Sequence, residues 1–161
     1  MRSHPVRLGL FLAAIACAAA FAQAPPSFAG KWTLVPDAGA GGGRGGFGGL
    51  GQSATIVQDA TSLTITRTTQ AGEFTSTYKL DGTESKNTMT IQGNAVEQLS
   101  KAKWDGAKLL INTSMSFNGT PVETSMTMAL DPSGSLIVES TRPDFQGGGA
   151  PVTTKTTYKK G

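Results

Sequence analysis

The chain has 161 residues, 38% hydrophobic and 16% charged, with a formal net charge of +3, one histidine and one cysteine. His4 and Cys17 both fall within the first 22 residues, so the rest of the chain has neither imidazole nor thiolate. That excludes Ser-His-Asp and Cys-His nucleophile pairs, a histidine base near neutral pH, and an imidazole or thiolate cage for zinc or copper. Arg2 and Arg7 also lie there, leaving 12 basic against 11 acidic side chains with no basic stripe, which argues against nucleic-acid binding.

Residues 1–22 read as a removable export signal. Arg2 and Arg7 make a basic start, the apolar run 8–16 is far shorter than the ~20 residues that span a bilayer, and Ala20-Phe21-Ala22 supplies a small-x-small cleavage site before Gln23. The expected location is periplasmic or extracellular, with no transmembrane segment. The alternative is a lipoprotein anchored through Cys17, because Ala14-Ile15-Ala16-Cys17 resembles a lipobox with Ala14 in place of the usual leucine. Residues 23–27, with Pro25-Pro26, form an extended spacer, and 28–161 suit one domain with a single core. Without cysteine, that domain depends on its core and strand ladders rather than on disulfides.

From Phe28 onward, short runs rich in Thr, Val, Ile, Leu and Met alternate with turn signals, and no helical apolar period is sustained. Strands are predicted over 28–35, 54–58, 62–69, 73–80, 88–92, 96–104, 108–117, 122–130, 135–142 and 152–159. Asp81-Gly82, Asp105-Gly106 and Asn118-Gly119 tolerate the positive φ of tight hairpins, and Asp131-Pro132-Ser133-Gly134 makes a longer turn. Consecutive hairpins give an all-β, up-and-down antiparallel meander of about 8–10 strands; closure into a barrel removes exposed edges, with a β-sandwich as the alternative.

Between the first two strands, the glycine-rich stretch 38–52 has too few side chains to bury anything and reads as a mobile loop. Gly41-x-Gly43-x-x-Gly46 matches a dinucleotide fingerprint, and 46–53 has the glycine spacing of a phosphate loop. No βαβ unit presents the first, and Gln52 stands where the second needs lysine, so neither is assigned and no cofactor is expected. Phe47 and Leu50 are the apolar beads of this loop, placed to cover a barrel mouth or touch a partner.

Alternation assigns the inward face. Phe74, Ser76, Tyr78 and Leu80 share one face; Leu109, Ile111, Thr113, Met115 and Phe117 form a second stripe, and Val122, Thr124, Met126, Met128 and Leu130 a third. Polar residues interrupt the inner face at Ser76, Gln98, Ser100, Thr113, Thr124, Ser140, Thr154 and Thr156. A dry core penalises each unpaired hydroxyl or amide, whereas a cavity holding water or ligand does not; bonding to nearby backbone is the local alternative. Arg67 and Arg142 extend inward stripes towards the barrel mouths, where a guanidinium binds a ligand carboxylate or ends in a solvated, ion-paired rim. The candidate ligand-binding residues are Arg67, Tyr78, Met115, Phe117, Met126, Met128 and Arg142.

The opening Phe28-Ala29-Gly30-Lys31-Trp32-Thr33-Leu34 resembles the calycin group of lipocalins, fatty-acid-binding proteins and avidins, whose first strand carries Gly-x-Trp. With Trp104-Asp105-Gly106 and the ending Tyr158-Lys159-Lys160, the chain is similar to exported bacterial lipocalin-like proteins along nearly all of 23–161. The resemblance implies a barrel closed at one end by Gly30 and Trp32, with Trp32 covered by an arginine from a late strand, a role that falls to Arg142. The chain departs from lipocalins in its glycine insertion and its lack of a disulfide.

These readings converge on an exported, non-enzymatic lipocalin-like protein that binds a small apolar or amphipathic molecule inside the barrel. The alternative is an envelope protein-protein interaction or inhibitor-type module with a filled barrel. Asp59, Glu73, Glu97, Glu123 and Glu139 are dispersed, most on lysine-bearing outward faces, as Glu97 is with Lys101. With no clustered acids and no Gly-x-Ser-x-Gly elbow, no catalytic or metal site is assigned.

Overall fold

The computed structural model describes residues 24–36, 49–69, 72–91, 93–117, 119–144 and 148–161. The expected signal 1–22 and most of the glycine-rich stretch, Phe47 included, lie outside the described residues.

Ten strands follow in chain order: β1 (Gly30–Leu34), β2 (Ser53–Gln58), β3 (Ser62–Thr69), β4 (Gly72–Lys79), β5 (Asp81–Ile91), β6 (Asn94–Asp105), β7 (Lys108–Phe117), β8 (Thr120–Leu130), β9 (Leu136–Arg142) and β10 (Val152–Lys160). They form one antiparallel sheet in the order β4-β3-β2-β1-β10-β9-β8-β7-β6-β5. The ladder between the first and last strands, Trp32 opposite Lys160 and Leu34 opposite Tyr158, rolls this sheet into a nearly closed barrel instead of two packed layers. Closure leaves only β4 and β5 as ends of the order, so nearly every strand edge is covered.

Alternation places the apolar residues as the sequence predicts. Trp32, Ala54, Ile56, Leu63, Ile65, Leu109, Ile111, Met128, Leu136, Val138 and Tyr158 are buried in one core, capped by Phe28, whose ring stacks on Trp104 at 5.5 Å. Val96, Met115 and Val122 form a second, smaller cluster with Met89 against it. Leu50, expected as a bead on a loose loop, is fully buried in the main core.

At the closed end, Trp32 Nε1 donates to the Phe28 carbonyl at 2.8 Å, satisfying the one polar atom of a fully buried indole. The cation over its ring is Lys160 of β10, with Nζ 5.7 Å from the centroid, and not Arg142 as the family resemblance implies. Gly30 makes this possible: its φ is +138°, and a Cβ there would lie 2.5 Å from Lys160 Cε. The Gly-x-Trp spacing thus leaves room for the lysine stem to lie across the indole.

One strand departs from expectation. β5 begins at Asp81, seven residues before the predicted start at 88, with a register shift against β6 between Asp81 and Glu84. Asp81-Gly82 turns the chain, but β4 and β5 form no ladder, so the hairpin expected there is absent. The segment from Asp81 to Asn87 has no apolar residue through which alternation could announce a strand. Its inward positions are Ser85 and Asn87, which lie opposite the buried Ser100 and Gln98 of β6.

Candidate functional site

The inner face changes character from β4 to β8. Ser76, Ser85, Gln98 and Ser100 are buried there, as is Ser140 on β9, in place of the aliphatics that fill β2 and β3. Several of these satisfy themselves locally: Ser100 and Thr113 share a hydroxyl bond of 2.8 Å across β6 and β7, and Thr154 and Thr156 donate to the backbone of β9 at 3.5 and 3.3 Å. Ser140 Oγ does not, and neither does Arg67 Nε; both are buried without a hydrogen-bond partner. Among the described residues the partners of Gln98 Nε2 are sulfurs, 2.9 Å away at Met89 Sδ and 3.8 Å at Met115 Sδ. Thioethers are weak acceptors, so this amide is poorly repaid for its burial.

A cavity of about 60 Å³ lies against this wall. Arg67, Tyr78, Met115 and Met126, four of the seven candidate residues, line it. Gln98, Ile111, Thr113 and Thr124, inward by alternation, line it too. Met89 and Ser125 complete the wall and were not anticipated. Met89 went unseen because it sits on the polar strand β5, where no apolar stripe marks the inner face; β6 supplies the only signal, since Met89 opposes Val96. Of the other three candidates, Met128 and Arg142 are not brought to the cavity. Met128 is fully buried in the main core, Arg142 at the end of β9 does not reach the cavity wall, and the side chain of Phe117 lies outside the described residues.

The space is several times the ~10–15 Å³ that one water requires and well below the ~300–1,000 Å³ of a drug-sized pocket. It admits a molecule of a few heavy atoms; anything larger requires the methionine side chains to move, which three rotatable bonds allow.

Arg67 is the charged group of the wall. Its Nη1 donates to the Gly49 carbonyl at 3.2 Å and Nη2 to the Tyr78 hydroxyl at 3.4 Å. Among the described residues no carboxylate forms a salt bridge with it; the ion pairs there are Lys86 with Glu97 and, at 3.3 Å, Lys155 with Glu139, both on the outer surface. A half-buried guanidinium with neutral neighbours and an idle Nε retains capacity for an anion.

Next to Arg67, Tyr158 fastens the last residues of the glycine-rich stretch. Its hydroxyl accepts from the Leu50 N–H and donates to the Gly51 carbonyl, both at 3.1 Å. Burial raises the Tyr158 pKa above its ordinary 10.0, keeping the phenol protonated and able to donate. Gly51 has φ +74° and its Cβ position lies 2.7 Å from the Thr68 carbonyl, so a side chain there is excluded on both counts. Arg67 therefore touches both this anchored loop end and the cavity.

Among the described residues no helix is long and apolar enough to cross a membrane. No family model matches the chain, and no curated protein matches it in sequence. In fold it is similar to a crystallised variant of the fluorescent protein UnaG, with a TM-score of 0.54 at 19% identity, the match covering 83% of this chain and 96% of that one. At that identity the likeness is one of fold: an up-and-down, lipocalin-like antiparallel barrel.

Proposed function

We propose that this protein is an exported, non-enzymatic carrier that holds a small amphipathic molecule inside its barrel. Its anionic end meets Arg67 and Tyr78, and its apolar part lies among Met89, Met115 and Met126. The observation that carries this reading is Arg67: a guanidinium on the wall of a cavity, with Nε buried and unpartnered and no carboxylate bridged to it among the described residues. A charge held in this way is costly unless something completes its shell, and a ligand anion does so. The likeness to a fluorescent protein supports the reading only in showing that a barrel of this shape is put to molecular use elsewhere.

The test is native mass spectrometry of the protein purified from its own host, followed by denaturation and extraction. A stoichiometric small anion in the wild type, lost in Arg67→Leu while the far-ultraviolet spectrum of a β protein persists, is the expected result. A bare wild-type mass, together with no uptake of butyrate, an anion of a few heavy atoms, overturns the reading. That result would favour a filled barrel acting through its rim on an envelope protein partner.

A further inference from the structure

The edge between β4 and β5 is closed by side chains where every other neighbouring pair is closed by backbone. Asn87 Oδ1 accepts from the Thr77 N–H at 2.8 Å, and Asn87 Nδ2 donates to the Thr77 carbonyl at 3.0 Å. One residue pair further down, the Lys79 N–H donates to Ser85 Oγ at 2.8 Å. The Asn87 amide presents to β4 the donor and acceptor that a peptide group of a neighbouring strand would present, and Ser85 supplies one acceptor more. Thr77 and Lys79 face out of the barrel whereas Ser85 and Asn87 face in, so the two strands meet out of hairpin register.

No backbone ladder joins the two strands, and side chains reach across from β5 instead. Moving away from the turn at Leu80–Asp81, the seam is fastened first at Ser85 and then, among the described residues, for the last time at Asn87. The residues beside that last fastening are Tyr78 and Met89, and both line the cavity. We propose that the β4–β5 seam is the port through which the cavity exchanges its contents, and that Asn87 is its latch. Among the described residues three hydrogen bonds from two side chains cross this edge, whereas β3 and β4 are joined through eight register pairs. Opening the seam breaks no ladder, so it is the low-energy route through the barrel wall.

The proposal rests on the cavity but not on the identity of a ligand, and its test needs none. Brief exposure to hydrogen peroxide transfers one oxygen to an accessible thioether, giving the sulfoxide and water, and mass spectrometry of peptides reads the rate at each methionine. Met115 and Met126 report the cavity; Met128, fully buried in the main core, reports global unfolding. Asn87→Ala is expected to raise oxidation of Met115 and Met126 by roughly five-fold or more, with Ser85→Ala having a smaller effect, and to speed hydrogen exchange of the Thr77 amide, while Met128 stays unchanged. Unchanged rates at Met115 and Met126 overturn the proposal. So does a rise at Met128 in step with them, which assigns access to global unfolding. A rise in Tyr158→Phe but not in Asn87→Ala also overturns it, by placing the route at the glycine-rich end. Because peroxide needs no binding site, these outcomes stand apart from whether a carried molecule is found.

Discussion

The barrel has two unlike halves. On β1 to β3 and on β9 and β10, most inward positions carry Trp32, Ala54, Ile56, Leu63, Ile65, Leu136, Val138 and Tyr158, and these pack into the core around a capped indole. On β5 and β6 the inward positions are Ser85, Asn87, Met89, Val96, Gln98 and Ser100, with a cavity against them and an edge fastened by side chains. Both halves obey the same two-residue alternation. The difference lies in what the inner positions can bury: the first half draws its stability from close packing, and the second gives up part of that for space, onto which Arg67 at the far end of β3 opens.

Three substitutions and the pH dependence of stability test that contrast. The largest effect is expected in the packed half, where Trp32→Ala removes a fully buried ring and its bond to Phe28; urea unfolding should show a loss of about 3–5 kcal/mol. A loss below about 1 kcal/mol would mean that the closed end is not the stabilising half. Next, Tyr158→Phe leaves the Leu50 N–H and Gly51 carbonyl without their partner and should cost about 1–3 kcal/mol, with faster amide exchange at Leu50. The wild type should also lose stability as pH rises above the ordinary tyrosine value of 10.0 towards the raised value of the buried phenol, because the unfolded chain ionises first; the phenylalanine variant should lack that contribution.

In the second half the sign reverses. Gln98→Leu exchanges an amide whose Nε2 meets sulfurs for a hydrocarbon, and is expected to leave stability unchanged or to raise it by up to about 1 kcal/mol. A clear loss would show that this amide is better satisfied than its thioether contacts suggest. The smallest effect belongs to the turns. Asp59 accepts from the N–H and hydroxyl groups of Thr61 and Ser62, and Asp81 and Asp131 are held in the same way by Thr83 and by Ser133 and Ser135; these bonds pull all three carboxyls below the ordinary 3.8. Their contribution is complete above the unfolded value and fades as pH falls through the lowered folded values. The urea midpoint should therefore stay level between about pH 5 and 8 and decline only in stronger acid.

The sequence by itself determined the strand meander, the inward parity and the position of the closing tryptophan. All of these follow from alternation and turn chemistry, which act over a few residues. It also marked Arg67, Tyr78, Met115 and Met126, because each continues an apolar stripe on its own strand. Tertiary structure alone decided the rest. Closure through β1 and β10 laid Lys160, not Arg142, across Trp32, because a contact between strands at opposite ends of the chain depends on how the sheet rolls. It buried Leu50 under Tyr158 and excluded Met128 from the cavity wall. It also turned Ser85, Asn87 and Met89 inward on a strand with no apolar pattern of its own. Their orientation is set by register against β6 and their partners by the meeting of two sheet ends, and neither is encoded within the span of a single strand.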